Sequence, residues 1–181
     1  MNTWLTSDLH LGHSGIIKYC NRPFKDEQQM NETLIRNWNQ RIKKDDVVYH
    51  LGDFCFRGGI EGGTNKAKYW EDQLNGKIIH IKGNHDPQNS VKSILKVALL
   101  EFGNKVVLAK HEPPLMKLEV PEFCDFVLCG HVHEKWKYIW LSDTNDTIPI
   151  INVGVDIWNF RPVRLDEILV FYDKIMKEKR K

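Results

Sequence analysis

No apolar run in the chain approaches the ~18 residues needed to span a bilayer, so no membrane span is expected. The amino end, MNTWLTSDLHLGH, has no basic segment followed by an apolar one, so a secretory leader is not expected either. The four cysteines, Cys20, Cys55, Cys124 and Cys129, never occur as CxxC, which speaks against a zinc ribbon or a redox dithiol. Without an export signal they read as reduced thiols, and the cytoplasm is the expected compartment. Charge of one sign is also lacking. Lysine and arginine total 26 against 24 acidic residues, a net charge of +2 that makes neither nucleic acid nor an anionic membrane the indicated partner. Repeats and low-complexity segments are absent. The tail Lys174–Lys181 (KIMKEKRK) reads as a solvated terminal helix.

What the chain does contain is a series of short β-prone runs. They are Asn2–Thr6, Val47–Leu51, Lys77–Ile81, Val106–Ala109, Phe126–Cys129, Trp136–Trp140, Ile148–Val153 and Ile168–Tyr172. Between the first two lies a helix pattern, Asp26 to Ile42, with Met30, Leu34 and Trp38 on one face. A second helix is expected from Thr64, as N-cap, to Leu74, stopped by Asn75-Gly76, and a third from Ser90 to Lys96. Strands and helices alternate in the first half, which predicts an α/β sandwich. The second half is strand-rich and suits hairpins. The gaps are short, so one domain, 1–181, is expected.

Five motifs share one position: each sits just past a predicted strand. They are Asp8 and His10 in SDLH; Asp53 in LGDF; Asn84, His85 and Asp86 in KGNHD; His111 in AKHEPP; and His131 and His133 in CGHVH. Open α/β sheets bind ligands at the carboxyl ends of their strands. So many polar groups would be a poor core but a good metal site. Carboxylate, imidazole and amide oxygen suit Mn, Fe, Zn, Ni or Co. Gly12, Gly52, Gly83 and Gly130 flank the motifs, where tight turns and close backbone approach are needed.

The order D-x-H, G-D, G-N-H-D, H, G-H-x-H resembles the calcineurin-like metallophosphoesterases, from Ser7 to His133. The resemblance implies a four-layer α/β/β/α sandwich of two mixed sheets flanked by helices. It also implies two divalent metal ions, manganese foremost. Asp8, His10 and His133 would hold one, Asn84, His111 and His131 the other, and Asp53 would bridge them. His85 resembles the family's catalytic histidine, and Asp86 its orienting partner. Such a centre hydrolyses phosphomonoesters or phosphodiesters with a hydroxide bridging the metals. The segment GDFCFRGG resembles the G-D-x-V-D-R-G of Ser/Thr protein phosphatases, which would make Arg57 a phosphate-binding arginine; Phe56 departs from that pattern, and a solvated Arg57 is the alternative. His13 and Arg22 are further candidates for substrate contact. His50 and His80, inside predicted strands, read as structural. The loop Asn152–Pro162 reads either as a turn with packed aromatics or as a pocket wall. Trp136 and Trp140, four apart on one strand, suggest an exposed patch or a dimer surface. Motif spacing leaves no room for a large cap, so an open site and a small phosphoester or nucleotide-type substrate are expected.

Overall fold

The computed structural model describes residues 1–56, 66–86, 91–92, 95–142 and 147–180. Two mixed sheets stack on each other. The first contains β1 (Thr3–Thr6), β2 (Val47–His50), β3 (Lys77–His80) and β9 (Val163–Arg164), in the order β3-β2-β1-β9. β1, β2 and β3 run parallel, and β9 closes the edge antiparallel. The second contains β4 (Val97–Phe102), β5 (Lys105–Lys110), β6 (Phe126–Cys129), β7 (Tyr138–Ser142) and β8 (Thr147–Asn152), in the order β4-β5-β6-β8-β7. β4 and β5 form a hairpin turning at Gly103, whose φ is +63°. β5, β6 and β8 are parallel.

Side-chain alternation divides the core. Trp4 and Val48 face outward from the first sheet into a cluster with Met30, Leu34 and Trp38. Leu5 and Leu51 face inward and meet Val107, Ala109, Phe126, Leu128 and Ile151 of the second sheet. Helices α1 (Ser14–Tyr19), α2 (Glu27–Arg41) and α3 (Lys66–Glu71) cover the first sheet. α2 begins as its sequence requires: Asp26 is extended and its carboxylate accepts from Gln29 N at 2.8 Å. The outer face of the second sheet packs on Val120 and Cys124, which follow a 3₁₀ turn at Lys117–Glu119. Helix α4 (Leu165–Lys179) joins the cluster between the sheets through Ile168, Tyr172 and Ile175.

Several expectations are corrected. Ile168–Tyr172 is helical: its β-prone residues bury at i, i+4 and i+7 (Ile168, Tyr172, Ile175), a period of 3.6, and Asp166 and Glu167 occupy the first turn. The expected helix Ser90–Lys96 gives way at its end, where Leu95 bridges Ile81 and Val97 opens β4; Ser90, 93 and 94 lie outside the described residues, as does the expected cap Thr64. Trp136 and Trp140 do not share a face. Trp136 precedes β7 and packs on the outer cluster, while Trp140 packs on the inner one beneath Lys179 Nζ, 4.5 Å from its ring. All four cysteines are buried free thiols. Among the described residues no helix is long and apolar enough to cross a membrane.

Phe126 is fully buried and stacks on Tyr172, with ring centroids 4.7 Å apart, which ties α4 to the second sheet. Truncation to alanine is expected to cost about 3–5 kcal/mol of unfolding free energy, read as a fall in the urea midpoint at unchanged slope.

Candidate metal centre

The first two strands end side by side, and their loops stay paired. Asp8 N donates to Gly52 O and His10 N to Asp53 O, both at 3.0 Å. The motifs after β3, β5 and β6 close around this pair. Asp53 Oδ1 accepts from His85 N at 2.9 Å, and Asp8 accepts from His131 N at 3.0 Å. Closeness demands glycine at two points. A Cβ on Gly83 would overlap the Asp53 carboxylate, and one on Gly130 would overlap Ser7 Oγ. Asp8, His10, Asp53, His131 and His133 all have positive φ, between 48° and 70°. Left-handed backbone at non-glycine residues costs free energy, and it clusters where function fixes geometry.

Three imidazoles converge on Asp53 Oδ2: His111 Nε2 at 3.4 Å, His10 Nε2 at 3.6 Å and His85 Nε2 at 4.0 Å. Two groups have donor atoms within 4.8 Å of one another: Asp8, His10 and His133, and Asp8, Asp53 and His111. Asn84 Oδ1 joins the second, 2.8 Å from His111 Nε2 and 3.2 Å from His131 Nδ1. The donor set fits divalent cations on two counts. Asp8 and Asp53 are 0% and 2% exposed, a buried double negative charge that needs compensation. His10 Nε2 is buried with no hydrogen-bond partner among the described residues, an atom that a metal would satisfy. His111 Nδ1 lies 2.7 Å from Leu51 O, so when the ring is neutral Nδ1–H donates there and the Nε2 lone pair faces the site.

Charge follows the same geometry. Burial pushes the Asp8 carboxyl up. Burial also acts to raise Asp53, but the hydrogen bond and charge of His111 prevail and hold it well below the usual carboxylate range. Burial acts to lower His111 and His133, yet Asp53 and Asp8 bring His111 up to about 9, and Asp156 brings His133 up to about 10.

The other expected residues fall differently. Asp86 is 2% exposed and its carboxylate accepts from Gly83 N (2.7 Å), Asp53 N (3.0 Å) and Phe54 N (3.0 Å). It therefore braces the loops of β2 and β3. The His85 side chain stands at the mouth, 54% exposed. His13 lies beside the site, stacked on Phe56 at 4.4 Å and 5.5 Å from the His10 ring. Arg22, expected to reach substrate, is instead buried. Its guanidinium donates to Asp156 (2.8 and 3.0 Å), to Asp8 O (2.6 Å) and to Leu9 O (3.0 Å), leaving no face for a ligand. Arg57 lies outside the described residues. His50, fully buried, packs with Phe54 and His80, and His80 pairs with Glu71 at 2.9 Å, away from the metal groups.

Asp156 is the residue that motif reading missed. It lies in a 3₁₀ turn, Val155–Ile157, reached through Gly154, and its Oδ2 is 3.2 Å from His133 Nδ1. Its contact turns His133 Nε2 toward Asp8 Oδ1, 4.0 Å away. The signal was in the Asn152–Pro162 loop, which supplies this carboxylate as well as packed aromatics: Phe160 meets Phe24 at 4.8 Å.

Residues 1–158 match the calcineurin-like phosphoesterase superfamily domain. The chain belongs to that superfamily. It is 34% identical over 173 residues to an uncharacterized protein of Methanocaldococcus jannaschii, covering 94% of this chain and 91% of the relative. It is 28% identical over 207 residues to the gene 66 protein of Mycobacterium phage L5, covering 98% and 97%. A solved protein of unknown function from Aquifex aeolicus shares its fold, with TM-score 0.69 and 23% identity over 94% of this chain and 98% of that one. Membership makes the chain a phosphoesterase in class and divalent metals its expected cofactors.

Three outcomes follow from this geometry. His111 and His133 are protonated below about pH 9 and 10 in the metal-free protein and must be neutral to ligate. Metal titration near pH 7.5 is therefore expected to release about two protons, measured by calorimetry in buffers of different ionisation enthalpy, and the release should vanish as pH rises above those values. Their raised affinity for protons also stabilises the metal-free fold fully below pH ~6.5, a contribution lost as pH rises through the folded values. Separately, Asp156→Asn is expected to weaken one metal by about 10–100-fold while the second stays tight, read from metal stoichiometry after dialysis.

Proposed function

We propose that the protein hydrolyses a phosphomonoester or phosphodiester at two divalent ions, with manganese the first to test. Asp8, His10 and His133 hold one ion, Asn84, His111 and His131 the other, and Asp53 serves both. The observation that carries this reading is Asp53 Oδ2 itself, a buried carboxylate oxygen within 3.4–4.0 Å of three imidazoles that approach from separate loops. Bound ions supply an activated water and a clamp on phosphate oxygens.

The chain's own residues supply the rest. Asp86 fixes the loops of β2 and β3 through three amides. Leu51 O, 2.7 Å from His111 Nδ1, would leave Nε2 free to ligate once the ring is neutral. His85 is tethered through its amide while its ring faces outward, which suits a general acid that protonates the departing alkoxide. The substrate accordingly approaches from the mouth where His85 and His13 stand. A small phosphoester or nucleotide-type molecule fits this approach.

Protein loaded with Mn²⁺ should cleave p-nitrophenyl phosphate or its bis ester, and Asp53→Asn should lower the rate about 100-fold or more. No turnover with any of several metals and substrates, or full activity in the variant, would defeat the proposal. His85→Ala should separate leaving groups. With an alkyl ester the loss is expected at roughly 10²–10⁴-fold, whereas p-nitrophenolate, which departs without a proton, should lose far less.

A further inference from the structure

A pocket of about 260 Å³ opens beside Asn84 and His111. Three lysines line it, Lys82, Lys96 and Lys110, with Glu112 as the one carboxylate among its described lining residues. The fold brings these lysines together from three segments. Lys82 follows β3, Lys96 precedes β4, and Lys110 ends β5 opposite Val97. Lys82 N donates to Leu95 O at 2.8 Å, and Ile81 bridges Leu95, so the first two segments are fixed side by side.

Lys110 is partly neutralised by Glu119 at 3.3 Å, a carboxylate that also accepts from Leu115 N and Met116 N. Lys82 and Lys96 have no carboxylate within ion-pair distance among the described residues. A net charge of +2 spread over 181 residues conceals this concentration. Like charges placed together repel unless something anionic separates them. The anion at the scissile centre would be compensated by metals, so these ammonium groups are surplus to the hydrolysis itself. Lysine is a flexible point charge that takes phosphate without demanding one planar geometry.

We propose that this pocket is a subsite for a second phosphate of the substrate, so that the preferred substrate is a phosphoester carrying another phosphate next to the scissile one. The inference rests on the phosphoesterase reading and deepens it. Its chemistry is common to a nucleoside bisphosphate and to the backbone of a short oligonucleotide.

The test compares thymidine 5′-(p-nitrophenyl phosphate) with its 3′-phosphorylated form and with the methyl ester of that 3′-phosphate, using Mn²⁺-loaded protein. The three share one scissile bond and one leaving group. At low salt the 3′-phosphorylated compound is expected to have a kcat/KM roughly tenfold higher than the unphosphorylated one, and the advantage should shrink with added salt. Lys82→Ala with Lys96→Ala should bring the ratio to about one while activity on the unphosphorylated ester stays. An equally favoured methyl ester assigns the subsite to an oligonucleotide backbone; a favoured free phosphate alone assigns it to a bisphosphate. A ratio near one in the unaltered protein, or one that survives the double variant, overturns the proposal. Inorganic pyrophosphate followed by NMR separates the two readings. If no ester is cleaved, amide shifts at Lys82 and Lys96 that disappear in the double variant keep the subsite and defeat the phosphoesterase reading. Absence of those shifts defeats the subsite.

Discussion

Asp8 and Asp53 place two carboxylates, almost fully out of water, where the first two strands end. Burying one unpaired anion costs several kcal/mol, and two side by side repel as well. Much of the surrounding structure answers that cost. Imidazoles come from the loops after β1, β3 and β5 to face Asp53, and the amides of His85 and His131 donate to the two carboxylates. The arrangement suits a cation better than protons. His111 and His133 accept protons readily in its absence, but His10 Nε2 still has no hydrogen-bond partner among the described residues.

Packing around the carboxylates explains the backbone. Five of the converging residues adopt left-handed φ, each at a cost of order 1 kcal/mol or more. Such a set persists only where surrounding contacts over-determine it. The paired loops of β1 and β2 supply some of those contacts, and glycine at Gly83 and Gly130 lets the remaining backbone approach. Rigid strands below and short tight loops above therefore belong to one design: the sheets set where the loops begin, and the buried charges set where they end.

The sequence was most legible where one physical signal dominated. Met30, Leu34 and Trp38 revealed α2 because its amphipathic face is long and capped by Asp26. The convergence of the motif residues was legible because each Asp, His or Asn follows a β-prone run, and parallel neighbouring strands bring such ends together. Ile168–Tyr172 misled because β-branched and aromatic residues outweighed a period visible only when Ile175 is included. β4 was missed since VALLEF alternates weakly and one of its faces is exposed at Val97 and Leu99. Arg22 looked like a substrate contact because an arginine near a metal motif reads as an anion binder. Its actual anion, Asp156, is 134 residues away in the chain, and no local pattern announces that pairing.

That pairing also shows how differently the converging histidines are supported. The guanidinium of Arg22 touches the Asp8 and Leu9 carbonyls on one side and Asp156 on the other, and Asp156 in turn holds His133. One buried cation thus fastens the start of the chain's first motif to the last histidine of its final motif. Around Asn84 the contacts are of another kind: His111 meets Leu51 O, Asn84 Oδ1 and Asp53 Oδ2, and His131 Nδ1 meets Asn84 Oδ1. A side chain braced by an ion-pair network has little freedom left to lose when a ligand binds, whereas one held by fewer contacts has more. The difference follows from where charge was placed in the loops, and it leaves His133 held by a carboxylate that is itself held by a guanidinium.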